Sequence, residues 1–235
     1  MTSELKETIR ANLSRAMERI AAAAQRSGRS PEQIRLVAVG KTHSVEAIQA
    51  AIDAGAAIIG ENYIQEAREK FDALVHTPVQ WHFIGHLQSN KAKYAVRLFD
   101  LIHTVDSIKL AAELDKQARK VGKVQDILVQ VNISGEASKS GAAEAETEKL
   151  IRSISGFKSI RVKGLMTIPP FFDDSEGARP FFAALKQLKD RLHALSIEGV
   201  DMKELSMGMT GDFESAIEEG ATLVRLGTCI FGERS

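Results

Sequence analysis

Lys41 closes a short apolar run, Leu36-Val37-Ala38-Val39, after a single glycine, Gly40. Such a run reads as a buried strand, and a strand end is a rigid place to hold an amine. Most lysines are solvated and do nothing more. One held partly desolvated at the mouth of a pocket is a nucleophile that condenses with an aldehyde to give a Schiff base. Two other stretches carry complementary chemistry. Ser206-Met207-Gly208-Met209-Thr210-Gly211-Asp212 alternates glycine with hydroxyl side chains, which suits an anion cradle, because glycine lets the backbone approach and amide N–H groups point inward. Arg225-Leu226-Gly227-Thr228 repeats the glycine and hydroxyl pairing behind an arginine. Either stretch alone is a turn signal. A lysine, an anion cradle and an arginine together are the parts that pyridoxal 5′-phosphate (PLP) requires of a protein.

The elements that must bring these parts together are legible in the hydrophobic pattern. Candidate strands fall at 34–39, 57–60, 80–84, 101–105, 126–132, 160–168, 204–206 and 223–226. Helix-like segments lie between them at 44–54, 62–74, 90–98, 107–120, 142–155, 176–195 and 211–219. Continuous apolar runs such as Ile127-Leu128-Val129 imply burial on both faces, and a helix between successive strands implies parallel pairing. Ser44 and Ser107 stand where helix N-caps belong. A leading helix over 3–26 places Leu5, Ile9, Leu13, Met17, Ile20 and Ala24 at helical spacing and is expected to cover the body of the fold. Eight such units predict an α/β fold, a (β/α)₈ TIM barrel, whose usual size is about 250 residues. The expectation is one domain over 1–235, with the barrel at 34–232. An open doubly wound sheet is the alternative, but no Gly-x-Gly-x-x-Gly follows the first strand. Barrels of this type bind phosphate at the loops after strands seven and eight, which is where the two glycine-hydroxyl stretches fall.

Composition narrows the class of partner. Hydrophobic residues make up 44% and charged residues 26% of the chain, and 31 basic residues balance 31 acidic ones. That composition is of an ordinary globular protein, and zero net charge supplies no field for nucleic acid or an anionic membrane. Cys229, the single cysteine, cannot form an intramolecular disulfide, which fits a reducing compartment. No apolar run approaches the roughly 18 residues of a membrane helix, and the start of the chain lacks a basic-then-apolar signal pattern. A cytoplasmic monomer is expected.

At this point the motifs form an ordered set. Val37-Ala38-Val39-Gly40-Lys41-Thr42, Gly60-Glu61-Asn62-Tyr63-Ile64-Gln65-Glu66, His82-Phe83-Ile84-Gly85-His86-Leu87-Gln88-Ser89-Asn90-Lys91, Gly164-Leu165-Met166-Thr167-Ile168, Ser206-Met207-Gly208-Met209 and Arg225-Leu226-Gly227-Thr228-Cys229-Ile230-Phe231-Gly232 resemble the pyridoxal phosphate homeostasis protein family. The resemblance spans nearly the whole chain. It implies a barrel of the alanine racemase N-terminal-domain type, fold type III of the PLP proteins, with PLP held as an aldimine on Lys41. By the same resemblance Ser206, Gly208, Gly227 and Thr228 contact the phosphate, Arg225 faces the pyridine nitrogen, and Asn62, Met166 and Met207 line the ring pocket. Two departures stand out: Gly40 and Thr210 replace serines common in the family.

The function that follows is intracellular PLP homeostasis, storing the cofactor or delivering it to PLP-dependent apoenzymes, with little or no turnover. A protonated pyridine nitrogen makes PLP a strong electron sink, and an arginine there cannot accept that proton, since its own pKa exceeds about 12. Racemisation also needs a second acid/base opposite the lysine. In the racemases that group is a tyrosine delivered with an additional C-terminal domain, whereas this chain is expected to stop a few residues past its last strand. Tyr63 is a possible substitute, so a PLP-dependent amino-acid racemase is the alternative. A sugar-phosphate aldolase using Lys41 on the same barrel is a third option. A metal site at His82, His86 and His103 is discounted, because no carboxylate or further histidine sits at a matching strand end. His86 to Lys91 and the small-residue loop at 132–141 are read as rim segments, the second as a flexible cover. Cys229 is expected to be buried and inert.

Overall fold

Eight parallel strands close on themselves in this computed structural model, which describes residues 3–136 and 139–233. Met1, Thr2, Arg234 and Ser235, included in the expected 1–235 domain, lie outside the described residues, as do Ala137 and Ser138 of the 132–141 loop. The strands are β1 (Arg35–Val39), β2 (Ile58–Glu61), β3 (Gln80–Phe83), β4 (Leu101–Val105), β5 (Gln125–Asn132), the two-residue β6 (Ala142–Ala143), β7 (Ile160–Met166), β8 (Val200–Ser206) and β9 (Leu223–Leu226). Leaving out β6, which adds only to β5, the neighbours run β1-β2-β3-β4-β5-β7-β8-β9. The pairings of β4 with β5 and of β1 with β9 close the ring. The (β/α)₈ barrel is therefore the architecture.

Helices α1 (Ser3–Arg26), α2 (Val45–Asp53), α3 (Ile64–Ala73), α4 (Ala92–Leu98), α5 (Ile108–Lys120), α6 (Glu144–Ser155), α7 (Arg179–Ala194), α8 (Phe213–Glu218) and α9 (Thr228–Phe231) surround it. Both serine caps form: Ser44 Oγ accepts from the Ala47 amide and Ser107 Oγ from that of Leu110. The leading helix packs on α2, α8 and α9. Its buried stripe is Ile9, Leu13, Ala16, Ile20, Ala23 and Ala24, while Leu5 and Met17, placed on the apolar face by spacing, are exposed. Small alanines let α1 lie close enough for that narrow stripe to suffice.

Element boundaries move where polar residues interrupt the apolar pattern. Strand β8 begins at Val200, before the expected 204, because Asp201 and Lys203 face outward and Asp201 meets Lys163 at 2.8 Å. The helices expected at 90 and 176 open with 3₁₀ turns, Ser89–Lys91 and Ser175–Ala178. The short α9 after Gly227 had no periodic signal.

Inside the barrel a buried cluster of Val37, Ile58, Leu101, Leu128, Met166 and Leu223 fills one level. Strand alternation sends the residues two positions on to the same interior, one level nearer the C-terminal mouth. That level contains His103 after Leu101 and Arg225 after Leu223. The lumen thus turns polar as it approaches the mouth.

Candidate functional site

The C-terminal ends of the strands enclose a cavity of about 610 Å³. Lys41 enters it from the end of β1 and Asn62 from the end of β2; Arg225, Gly227 and Thr228 enter from β9 and the turn beyond it. The segment after β8 contributes Met209 to Asp212, and the one after β7 contributes Ile168 to Phe172. Five of the sequence-predicted residues, Lys41, Asn62, Arg225, Gly227 and Thr228, are therefore brought together. Met166, Ser206, Met207 and Gly208 are buried and are not among the residues that line it.

Arg225 is the buried cation of the site, 4% exposed. It donates to Ser206 Oγ at 2.6 Å and to the Thr167 carbonyl at 2.9 Å, two neutral oxygens. Burial pulls its pKa down to about 10, with Asp212 opposing. It is thus still charged at neutral pH.

Ser206 links Arg225 to a chain that the sequence did not suggest. His103 Nδ1 lies 2.9 Å from Ser206 Oγ, and His103 Nε2 lies 3.0 Å from His82 Nδ1. A guanidinium only donates, so Ser206 Oγ accepts from Arg225 and its own hydrogen is available to His103 Nδ1. Donated that way, it pairs with His103 Nε2–H donating to His82 Nδ1; the opposite sense, His82 Nδ1–H to His103 Nε2 and His103 Nδ1–H to Ser206 Oγ, meets the same distances. Both rings are neutral: burial holds His82 down to about 3 and His103 well below the usual imidazole range. The signal was present in the strand patterns, where His82 stands between Trp81 and Phe83 of β3 and His103 follows Leu101-Ile102 in β4.

The loop after β8 is held rigidly. Gly208 has φ +90°, and a Cβ on it would stand 2.7 Å from Ala216 Cβ. Its carbonyl accepts from the Arg225 amide at 3.0 Å, and Asp212 Oδ1 accepts from the Met209 amide at 2.6 Å. Burial raises the Asp212 carboxyl.

Behind Lys41 lies a second feature missed from sequence. Glu61 is fully buried and accepts from Lys70 Nζ at 2.8 Å. Burial pushes its pKa up to about 7 against the pull of that lysine.

These residues suit a phosphorylated aldehyde with a basic ring. Asn62 Oδ1 is buried at the cavity wall with no hydrogen-bond partner among the described residues, an acceptor that a ligand donor would satisfy. Arg225 supplies a buried guanidinium, Lys41 an amine, and the Gly227-Thr228 turn a hydroxyl at the cavity lining. No helix among the described residues is long and apolar enough to cross a membrane.

Comparison with known proteins agrees with this geometry. The profile of the alanine racemase N-terminal domain family matches residues 9–235. Over 222 residues the chain is 43% identical to the pyridoxal phosphate homeostasis protein of Aquifex aeolicus, spanning 94% of this chain and 96% of that one. Among solved structures it is similar to PipY of Synechococcus elongatus with PLP bound, at a TM-score of 0.80 and 35% identity, over 92% of this chain and 99% of that one. An alanine racemase of Clostridium difficile shares the fold, with a TM-score of 0.76 at 14% identity over 97% of this chain and 57% of that one.

Proposed function

This chain belongs to the pyridoxal phosphate homeostasis protein family, within the wider alanine racemase N-terminal domain family, and from that membership we propose that it binds PLP at the barrel mouth, anchors it on Lys41, and stores or delivers it with little or no turnover. The observation that carries this assignment is the convergence of Lys41, Asn62, Arg225, Gly227 and Thr228 on one cavity.

PLP supplies an aldehyde that condenses with an amine and a ring that stabilises negative charge. The chain's residues take the remaining roles. Lys41 provides the amine at a strand end. Gly227 and Thr228, with the loop at 209–211, hold the phosphate. Arg225 donates to the ring nitrogen, and Asn62 accepts from the ligand at the wall. Met166 supports the cavity from the barrel interior, and Met207 and Gly208 from the start of the loop after β8. The phosphate contact expected of the Ser206 hydroxyl passes in this assignment to its neighbours, and Ser206 instead orients Arg225.

Low turnover is supported by what Arg225 does and by where the tyrosines lie. A guanidinium keeps its proton even at a pKa of about 10, so Arg225 would donate to a ring nitrogen placed against it without protonating it, which would leave the ring a weaker electron sink. Tyr63, the candidate second acid/base, caps α3 at 55% exposure, and neither it nor Tyr94 lines the cavity. Cα deuterium uptake across a panel of amino acids is expected to run no faster than with free PLP; faster uptake favours the racemase.

The deciding experiment is an absorbance spectrum of the purified protein, then borohydride reduction and peptide mass mapping. The expected result is a visible band from lysine-bound PLP, adduct mass on the Lys41 peptide, and loss of both in Lys41→Ala. A protein without the band, or one that keeps it after Lys41→Ala, overturns the assignment. Trapping of a sugar phosphate without added PLP favours the aldolase.

A further inference from the structure

Lys41 sits in a turn that its neighbours' side chains do not favour. The amide of His43 donates to the Gly40 carbonyl at 3.1 Å, closing a four-residue turn, and Thr42, the third residue of that turn, has φ +66°. Glycine or asparagine adopts that conformation readily, whereas in a β-branched residue the side chain crowds the backbone. Something outside the turn must therefore hold it.

The holding groups come from β2 and α3. Buried Lys70 donates from Nζ to the Gly40 carbonyl at 2.7 Å and to Glu61 Oε1 at 2.8 Å. Glu66, one helical turn before Lys70, approaches the same Nζ at 3.5 Å, and its Oε2 accepts from the Thr42 amide at 2.8 Å. The two peptide groups flanking the Lys41 Cα are thus each bound by a charged side chain, one by an ammonium and the other by a carboxylate. Hydrogen bonds of this kind are roughly twice as strong as neutral ones. Glycine at position 40 makes the room, because a Cβ there would fall 2.7 Å from Glu61 Oε1 and 2.6 Å from Ile48 Cδ1.

We propose that Glu61, Lys70 and Glu66 are positioning residues that set the backbone on both sides of Lys41, so that its amine is aimed before any cofactor arrives. The inference rests on the anchoring role proposed for Lys41, but the clamp itself is a property of the cofactor-free chain. It also accounts for Thr42, whose strained conformation is imposed by Glu66 from outside the turn.

Glu66 is partly exposed, at 35% of its side chain, so Glu66→Ala should fold. Three measurements on the full chain test the clamp: exchange of the Thr42 amide in cofactor-free protein, affinity for PLP from its lysine-bound absorbance, and affinity for 4′-deoxypyridoxine 5′-phosphate, which keeps ring and phosphate but lacks the aldehyde. In Glu66→Ala the Thr42 amide is expected to exchange at least about tenfold faster. PLP should bind about tenfold more weakly and the deoxy analogue within about twofold of wild type, because misaiming the amine penalises only the covalent step. Glu61→Gln combined with Lys70→Met, which removes both buried charges together, should show the same split. Unchanged Thr42 exchange, or equal weakening of PLP and the analogue, overturns the proposal. If the wild type carries no adduct on Lys41, the anchoring assignment fails, while the amide-exchange result still decides whether the clamp exists.

Discussion

Arg225, Ser206, His103 and His82 form a line of buried polar groups in which only the first carries charge. Burial away from water disfavours a charge on either imidazole, with Arg225 adding a smaller repulsion at His103, so the histidines resist protonation in the folded state. That gives stability a definite dependence on pH. The unfolded chain binds protons on these imidazoles near pH 6.5, whereas folded His82 does so only near pH 3. A depressed folded pKa means the contribution is present above 6.5 and is lost as pH falls from there toward 3, and each proton is worth about 1.4 kcal/mol per pH unit. Urea unfolding between pH 6 and 4 should therefore show stability falling with acid. In His82→Gln that slope is expected to be shallower by about 1.4 kcal/mol per pH unit; an unchanged slope would show that His82 already titrates normally.

Between strands and helices, the connection from β8 to α8 shows how an element end becomes a binding surface. Gly208 turns the chain at φ +90° against Ala216 and Phe213, and the loop it starts runs along the cavity wall. Alanine there meets both an unfavourable dihedral and a 2.7 Å contact with Ala216 Cβ. Gly208→Ala is expected to lower stability by about 1–3 kcal/mol and to weaken PLP binding as the loop shifts. Urea midpoints and absorbance titration check the two effects. A variant with wild-type values in both would remove Gly208 from any structural role in the cradle.

At the scale of the whole molecule the mouth of the barrel has an apolar rim. Phe171 is 90% exposed, and Ile168, Phe172 and Met209 beside the cavity are also exposed. A cofactor carrier that hands its cargo over by contact needs a surface that a recipient can cover, and aromatic side chains dominate such contacts. At matched PLP occupancy, Phe171→Asp should slow reactivation of a PLP-dependent apoenzyme by about tenfold. Equal rates for the two proteins would favour delivery by simple release.

Period and spacing were enough to reveal the barrel and the positions of Lys41, Arg225 and the Gly227-Thr228 turn, because strand ends and glycine turns are local features written in consecutive residues. Strand β8 was only half legible, since its outward Asp201 finds its partner, Lys163 on β7, at a distance in sequence. The buried partnerships were not legible. His82 with His103, Ser206 with Arg225 and Lys70 with the Gly40 carbonyl join residues 21, 19 and 30 positions apart, and no periodicity relates them. Whether a polar residue in an apolar strand faces the lumen, and which group it meets there, depends on barrel closure and strand register. Those are settled only when all eight strands pair, which is why the place of Lys41 at a strand end could be read from its neighbours in sequence and the side chains that bind its flanking peptide groups could not.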